Sequence, residues 1–255
     1  MNGIGVAHSV GEAKASVSIR VLGEIAIEFD GVAIPLPASW RAVALLGWLA
    51  IHPGPQARSE IAASLWPDGL DISARKSART ALWSMRLALG EHADAVLETS
   101  TSRIGLCNAS VDLRRFEHHV IAGRVDDALA LASGELLPGL DDEWAILARD
   151  HHRHRLIALL ADSSEKAAAV GDLSMAIARA RKAAELNPLS ESCARLLMRR
   201  YDEVGDRSVA LAVYTRIVDR LRRELKIAPS EDTWMLAHQI RTRRQDQPRT
   251  TATVA

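Results

Sequence analysis

The sequence predicts an α+β N-terminal part followed by an all-helical C-terminal part. Three observations predict it. Residues 17–36 alternate apolar and polar positions; residues 39–90 switch to helical spacing before a hairpin pattern at 95–112; and from about 112 to 243 every segment reads as helix, with a motif that recurs after 34 residues. A length of 255 residues, at roughly 150 per domain, agrees with two domains.

The N-terminal elements follow in order. Val17, Ile19 and Val21 alternate with polar residues, as do Ile25, Ile27 and Phe29 after Gly23, and Asp30-Gly31 is a two-residue hairpin signal. A small antiparallel sheet of about three strands is expected. Trp40, Val43, Leu46, Leu49 and Ala50 then repeat at helical spacing over 39–51, until His52-Pro53-Gly54-Pro55 stops the helix. A short helix is expected over 59–66, with Ser59 as N-cap, and a third over 73–89, with Ser73 as N-cap and Gly90 as its stop. Residues 95–112 read as a hairpin around a polar turn at Ser100–Arg103. Sheet, three helices and hairpin is the layout of a winged helix-turn-helix, placed at 17–111 between a leader at 1–16 and the next domain.

In the second domain, 112–243, Gly171-Asp172 and Gly205-Asp206 stand 34 residues apart, each Gly five residues before a small Ala, Ala176 or Ala210. Gly123 and Ala128 keep the same relation. The period is that of tetratricopeptide units: two antiparallel helices, with Gly for the tight turn and Ala for close packing. Pro188 and Pro229 fall between units, and 244–255 reads as a polar tail.

Composition narrows function. A hydrophobic fraction of 48% with 25% charged residues excludes disorder and collagen for the whole chain. No apolar run approaches about 18 residues, and residues 1–16 lack a basic start and an apolar core, so a cytoplasmic protein with no membrane association is expected. Cys107 and Cys193 give neither a disulfide framework nor a metal spacing. His118-His119 and His151-His152-x-His154 are read as solvated helix faces, and Asp141-Asp142-Glu143 as acids that complement a helix dipole. There is no P-loop, dinucleotide fingerprint, H-E-x-x-H or C-x-x-C. No catalytic residue, metal or cofactor is expected.

The third helix carries the functional signal. Between Ile72 and Gly90 stand four cations, Arg75, Lys76, Arg79 and Arg86, and no acid, although the whole chain balances 32 basic against 32 acidic residues. At about 100° per residue, Ala78, Leu82, Met85 and Leu89 form a core stripe. Arg75, Lys76, Arg79, Trp83 and Arg86 form a separate outer face, flanked by Ser77, Thr80 and Ser84. A helix with that division suits the DNA major groove, its first turns at base edges and its later Arg at phosphate. Arg41, the Arg58-Ser59 pair and Arg103 are weaker candidates for phosphate or hairpin-tip contacts.

These segments resemble a known family. "Ile-Arg-Val-Leu-Gly" at 19–23, "Arg-Ser-Glu-Ile-Ala" before "Leu-Trp-Pro-Asp" at 58–68, and "Ala-Arg-Thr-Ala-Leu-Trp-Ser-Met-Arg" at 78–86 look like the OmpR-type winged helix of the Streptomyces antibiotic regulatory proteins (SARP). "Val-Asp-Leu-Arg-Arg-Phe-Glu" at 111–117, "Gly-Glu-Leu-Leu-Pro-Gly-Leu-Asp-Asp-Glu-Trp" at 134–144, "Ala-Val-Tyr-Thr-Arg" at 212–216 and "Glu-Leu-Lys-Ile-Ala-Pro-Ser" at 224–230 resemble that family's bacterial transcriptional activator domain. The resemblance covers about 17–243 and is closest in layout to the small stand-alone members. It implies a transcriptional activator of specialised metabolism that binds direct repeats in double-stranded DNA upstream of a promoter and recruits RNA polymerase holoenzyme; direct repeats about one helical turn apart would line up two protomers head-to-tail on one DNA face. It gives Arg75, Lys76, Arg79 and Thr80 the base-reading role and leaves Trp83 and Arg86 to packing or backbone contact. The chain departs from the family where a more basic helix end is common and Arg86-Leu87-Ala88-Leu89 stands instead. The reading from another class is a tetratricopeptide interaction module whose winged helix serves protein contacts.

Overall fold

The computed structural model describes residues 17–242; the expected leader and tail lie outside the described residues. The chain divides into two compact units, residues 1–149 and 150–255.

The first unit opens with β1 (Val17–Arg20), β2 (Ala26–Phe29) and β3 (Val32–Ile34), an antiparallel meander in which Ile19 faces Ile27. Asp30 and Gly31 take φ of 47° and 80°, the two left-handed positions that such a tight turn requires. There follow α1 (Trp40–Ile51), β4 (Gln56–Ala57), α2 (Arg58–Leu65) and α3 (Asp71–Leu89). A 3-10 turn at Gly90–His92 leads into α4 (Ala93–Val96), β5 (Leu97–Thr99), β6 (Arg103–Leu106) and β7 (Ala109–Val111). The strands form two sheets, β3-β2-β1-β7 and β4-β6-β5. α1 is buried from Ala42 to Gly47, and Leu45, Leu46 and Leu49 anchor the core beneath α3.

Several boundaries depart from the periodicity. α2 starts at Arg58, so Ser59 lies in its first turn and Ala57 takes the cap position; the Arg58 amide instead donates to the Ser102 carbonyl at 2.8 Å, so the hairpin does the work expected of a serine cap. α3 starts at Asp71, and the Ser73 hydroxyl donates back to the Leu70 carbonyl at 2.8 Å. The hairpin is shorter than 95–112. Ala95 and Val96 end a helix, and after Asn108 turns at a φ of 48° the chain leaves for the first sheet, where β7 runs parallel to β1.

After α5 (Asp112–Ile121) and α6 (Val125–Leu131), residues 132–142 are irregular rather than helical, with one isolated bridge, Leu22 to Leu136, and a turn at Pro138-Gly139. Gly134, Pro138 and Gly139 break the helical pattern, and the amides of Gly23 and Leu137 bond the carbonyls of Glu135 and Val21 at 2.8 Å. Gly134 is required there: a Cβ on it would stand 2.6 Å from the Gly23 Cα. Leu136, Leu137 and Leu140 are buried, and the Arg149 guanidinium donates to all three of their carbonyls.

The first unit therefore extends past the boundary expected at Val111–Asp112. The buried Asp112 carboxylate explains much of this, since it accepts the amides of Val21 (3.0 Å) and Leu22 (2.9 Å) as well as that of Leu113 (2.7 Å). Burial is the largest influence on its pKa and raises it; the three amides pull the other way.

The division falls within α7 (Glu143–Ala169). The second unit continues with α8 (Leu173–Leu186), α9 (Glu191–Glu203), α10 (Arg207–Arg220), a π-turn at Leu221–Leu225 and α11 (Glu231–Thr242), successive helices packing on one another. The recurrent motif has matching geometry in its two 34-residue copies. Gly171 and Gly205 take φ of 84° and 79°, Asp172 and Asp206 cap α8 and α10 through their side chains, and Ala176 and Ala210 are fully buried. Inside the unit the buried Arg200 bridges Glu165 (2.7 Å) and Glu203 (2.9 Å).

Candidate nucleic-acid interface

α3 has two faces because its sequence does. Ala78, Leu82, Met85 and Leu89 are all buried, packing on α1 and α2, which leaves Arg75, Lys76, Arg79 and Thr80 exposed. Ala62, Ala74 and Ala78 form a small-residue contact, with Trp66 against it, that brings α2 close to α3. The start of α2 and the β5–β6 turn consequently lie beside the first half of α3.

Together they line an open groove of about 1000 Å³. Arg58 and Ser59 come from α2, Arg75 and Arg79 from α3, and Thr101 and Ser102 from the hairpin turn. Three guanidiniums and three hydroxyls thus converge from segments far apart in sequence, and among the described residues no carboxylate lines the groove. The side chains of Lys76 and Arg79 make no hydrogen bond or ion pair among the described residues. Such a surface attracts an anion bearing many acceptor oxygens, and guanidiniums bind phosphate in paired geometry.

Two arginines expected at phosphate also hold the hairpin. Arg58 Nε donates to the Ser100 carbonyl at 3.0 Å and Arg103 Nη1 to the Pro55 carbonyl at 3.0 Å, each using one of five N–H donors. Gly105 permits this approach, since a Cβ there would lie 2.9 Å from the Pro55 Cα.

The other candidates are placed differently. Thr80 Oγ1 donates back to the Lys76 carbonyl at 3.2 Å. Trp83 is 64% exposed on the outer face, and Leu87, one turn on, is 67% exposed. Arg86 is paired with Asp94 of α4, which draws it off the outer face. Arg41 is paired with Asp142 at 2.6 Å, away from the groove. Sequence reasoning missed Thr101 and Ser102; the polar turn marked their segment, but only the packing of the hairpin against α2 brings them to α3.

No curated protein matches the chain. Among solved structures, that of Mycobacterium tuberculosis EmbR in complex with a low-affinity phosphopeptide is similar in fold, with a TM-score of 0.69 at 22% identity, over 92% of this chain and 67% of that one. The family model for the bacterial transcriptional activator domain matches residues 108–241, more than half of the sequence. It begins at Asn108, close to the domain start expected at Asp112, although the compact unit runs on to Arg149. The chain therefore belongs to the bacterial transcriptional activator domain family, a family of transcription regulators and not of enzymes.

Proposed function

We propose that the chain is a sequence-specific DNA-binding transcriptional activator of the Streptomyces antibiotic regulatory type, acting in the cytoplasm. Its first unit is an OmpR-type winged helix in which α3 enters the major groove and the β5–β6 hairpin is the wing. The observation that carries this reading is the groove where Arg58, Arg75 and Arg79 converge with the hydroxyls of Ser59, Thr101 and Ser102. Arg75, Lys76, Arg79 and Thr80 read base edges from the exposed face of α3, and Arg58, Ser59 and Arg103 meet phosphate. Arg41 and Arg86, engaged with Asp142 and Asp94, contribute less. The second unit is of tetratricopeptide type, a reading supported by the paired Gly turns, Asp caps and buried Ala residues at the 34-residue offset.

The functional unit is two protomers on direct repeats about one helical turn apart, recruiting RNA polymerase holoenzyme at promoters of specialised metabolism. The exposed Trp83 and Leu87 favour a second reading, in which this face of α3 meets protein instead. Enrichment of random duplexes by the full chain, sequenced and repeated at rising salt, separates the two. Enriched direct repeats with an affinity that falls steeply with salt support DNA recognition. Recovery of no motif would overturn it.

A further inference from the structure

The second unit holds an open groove of about 990 Å³ among α8, α9 and α10 that the DNA-binding reading does not use. Its floor is apolar, formed by the buried Leu197, Val213 and Ile217. Its rim carries Arg181 from α8 and Arg216 and Arg220 from α10, against a single acid, Glu185. That acid already faces Lys182 at 4.0 Å, so the cationic excess of the rim stands.

Two of the three guanidiniums, those of Arg216 and Arg220, are not engaged by the fold. Arg216 and Arg220 lie one helical turn apart, where like charges repel, and neither makes a hydrogen bond or ion pair among the described residues. Arg181 donates to the Tyr201 hydroxyl at 2.7 Å, which fixes its guanidinium at the rim opposite α10. Three cations around an apolar floor match a ligand with anionic groups on either side of an apolar one. A phosphodiester strand supplies the charge but nothing that suits a lining that also includes the apolar Ala184 and Pro188.

We propose that this groove binds an acidic peptide segment of a protein partner. An apolar side chain sits on Leu197, Val213 and Ile217, and flanking carboxylates meet Arg181, Arg216 and Arg220. The site belongs to the second unit alone and stands or falls independently of DNA recognition.

The test uses the full chain and fluorescence anisotropy. The probes are a labelled peptide with one Leu flanked on each side by two Asp, the same peptide with Asn for every Asp, and a labelled single-stranded oligonucleotide. The acidic peptide should bind about tenfold or more tightly than its Asn counterpart. The double variant R216A/R220A should lose that preference, as expected when two charge-assisted contacts are removed. Circular-dichroism melting checks its fold, and Arg216→Glu, a change at an exposed position, gives the same readout if the double variant is destabilised. Equal binding of the two peptides, an acidic-peptide affinity unchanged by Arg216→Glu, or tighter binding of the oligonucleotide through the same arginines would each overturn the proposal.

Discussion

Replacing Asp112 by Ala tests how the family-matched segment is joined to the first sheet. The carboxylate accepts the amides of Val21 and Leu22, residues that are 0% and 3% exposed, and that of Leu113 at the start of α5. Water reaches the strand end poorly, so Asp112→Ala leaves two buried N–H groups without an acceptor. At about 1–3 kcal/mol for each orphaned group, the loss is about 2–6 kcal/mol, less whatever is recovered by no longer burying a carboxylate. Against a total stability of about 5–15 kcal/mol, that is a large fraction. Asp112→Asn keeps one acceptor oxygen and should cost less. Urea unfolding of the full chain measures both, read as a shift of midpoint at constant slope. The pH dependence has a defined sign. Burial raises the pKa in the folded state, so the protonated form is favoured on folding. The contribution of Asp112 is then fullest below its unfolded pKa of about 3.9 and declines as pH rises through the higher folded value. An Asp112→Ala loss under about 1 kcal/mol would refute the view that this carboxylate fastens the segment to β1.

Other perturbations have equally definite outcomes. Gly134→Ala puts a methyl group 2.6 Å from the Gly23 Cα, backbone that cannot swing aside, and should destabilise by about 3 kcal/mol in the same unfolding assay. Arg58→Ala should weaken all duplexes about equally and lower the salt slope of binding by about 1, measured by titration at several salt concentrations. Glu191 is pulled upward in pKa by burial, its largest single influence, but the hydrogen bonds from Thr233 and Ser230 and the charge of Arg195 together hold it below the usual carboxylate value. Its contribution is therefore present above the unfolded pKa of about 4.3 and is lost as pH falls through the folded value. Amide hydrogen exchange in α11 should accelerate over that acid range in wild type and show no such step in Glu191→Gln.

Much of this was legible in the sequence because it is local. Asp30-Gly31 specifies its turn through backbone conformation alone. The wheel of α3 separates core from solvent because the 3.6-residue period is a property of one segment. The Gly-Asp pairs at 171–172 and 205–206 write both a turn and a cap into adjacent residues. What escaped sequence reasoning depends on partners distant along the chain. Ser59 reads as a cap until Ser102, 43 positions on, satisfies the first amide of α2. Residues 132–142 read as helix with their surroundings, and only their contacts with Val21–Gly23 and with Gly47 of α1 show why they form an irregular segment instead. Arg41 and Arg86 read as free cations until Asp142 and Asp94 fold back on them. The groove itself joins three such segments, so its cations were nameable and its hydroxyls at 101–102 were not.

The most direct measurement is the ratio of affinities for an enriched site and a scrambled duplex, in wild type and in Arg79→Ala at fixed salt. Arg79 is exposed, lines the groove and is not engaged elsewhere in the described structure. If α3 reads DNA, the ratio falls by about 1–3 kcal/mol, roughly 5- to 150-fold, while non-specific affinity changes little. A ratio unchanged by Arg79→Ala would contradict the assignment of α3 as the reading helix.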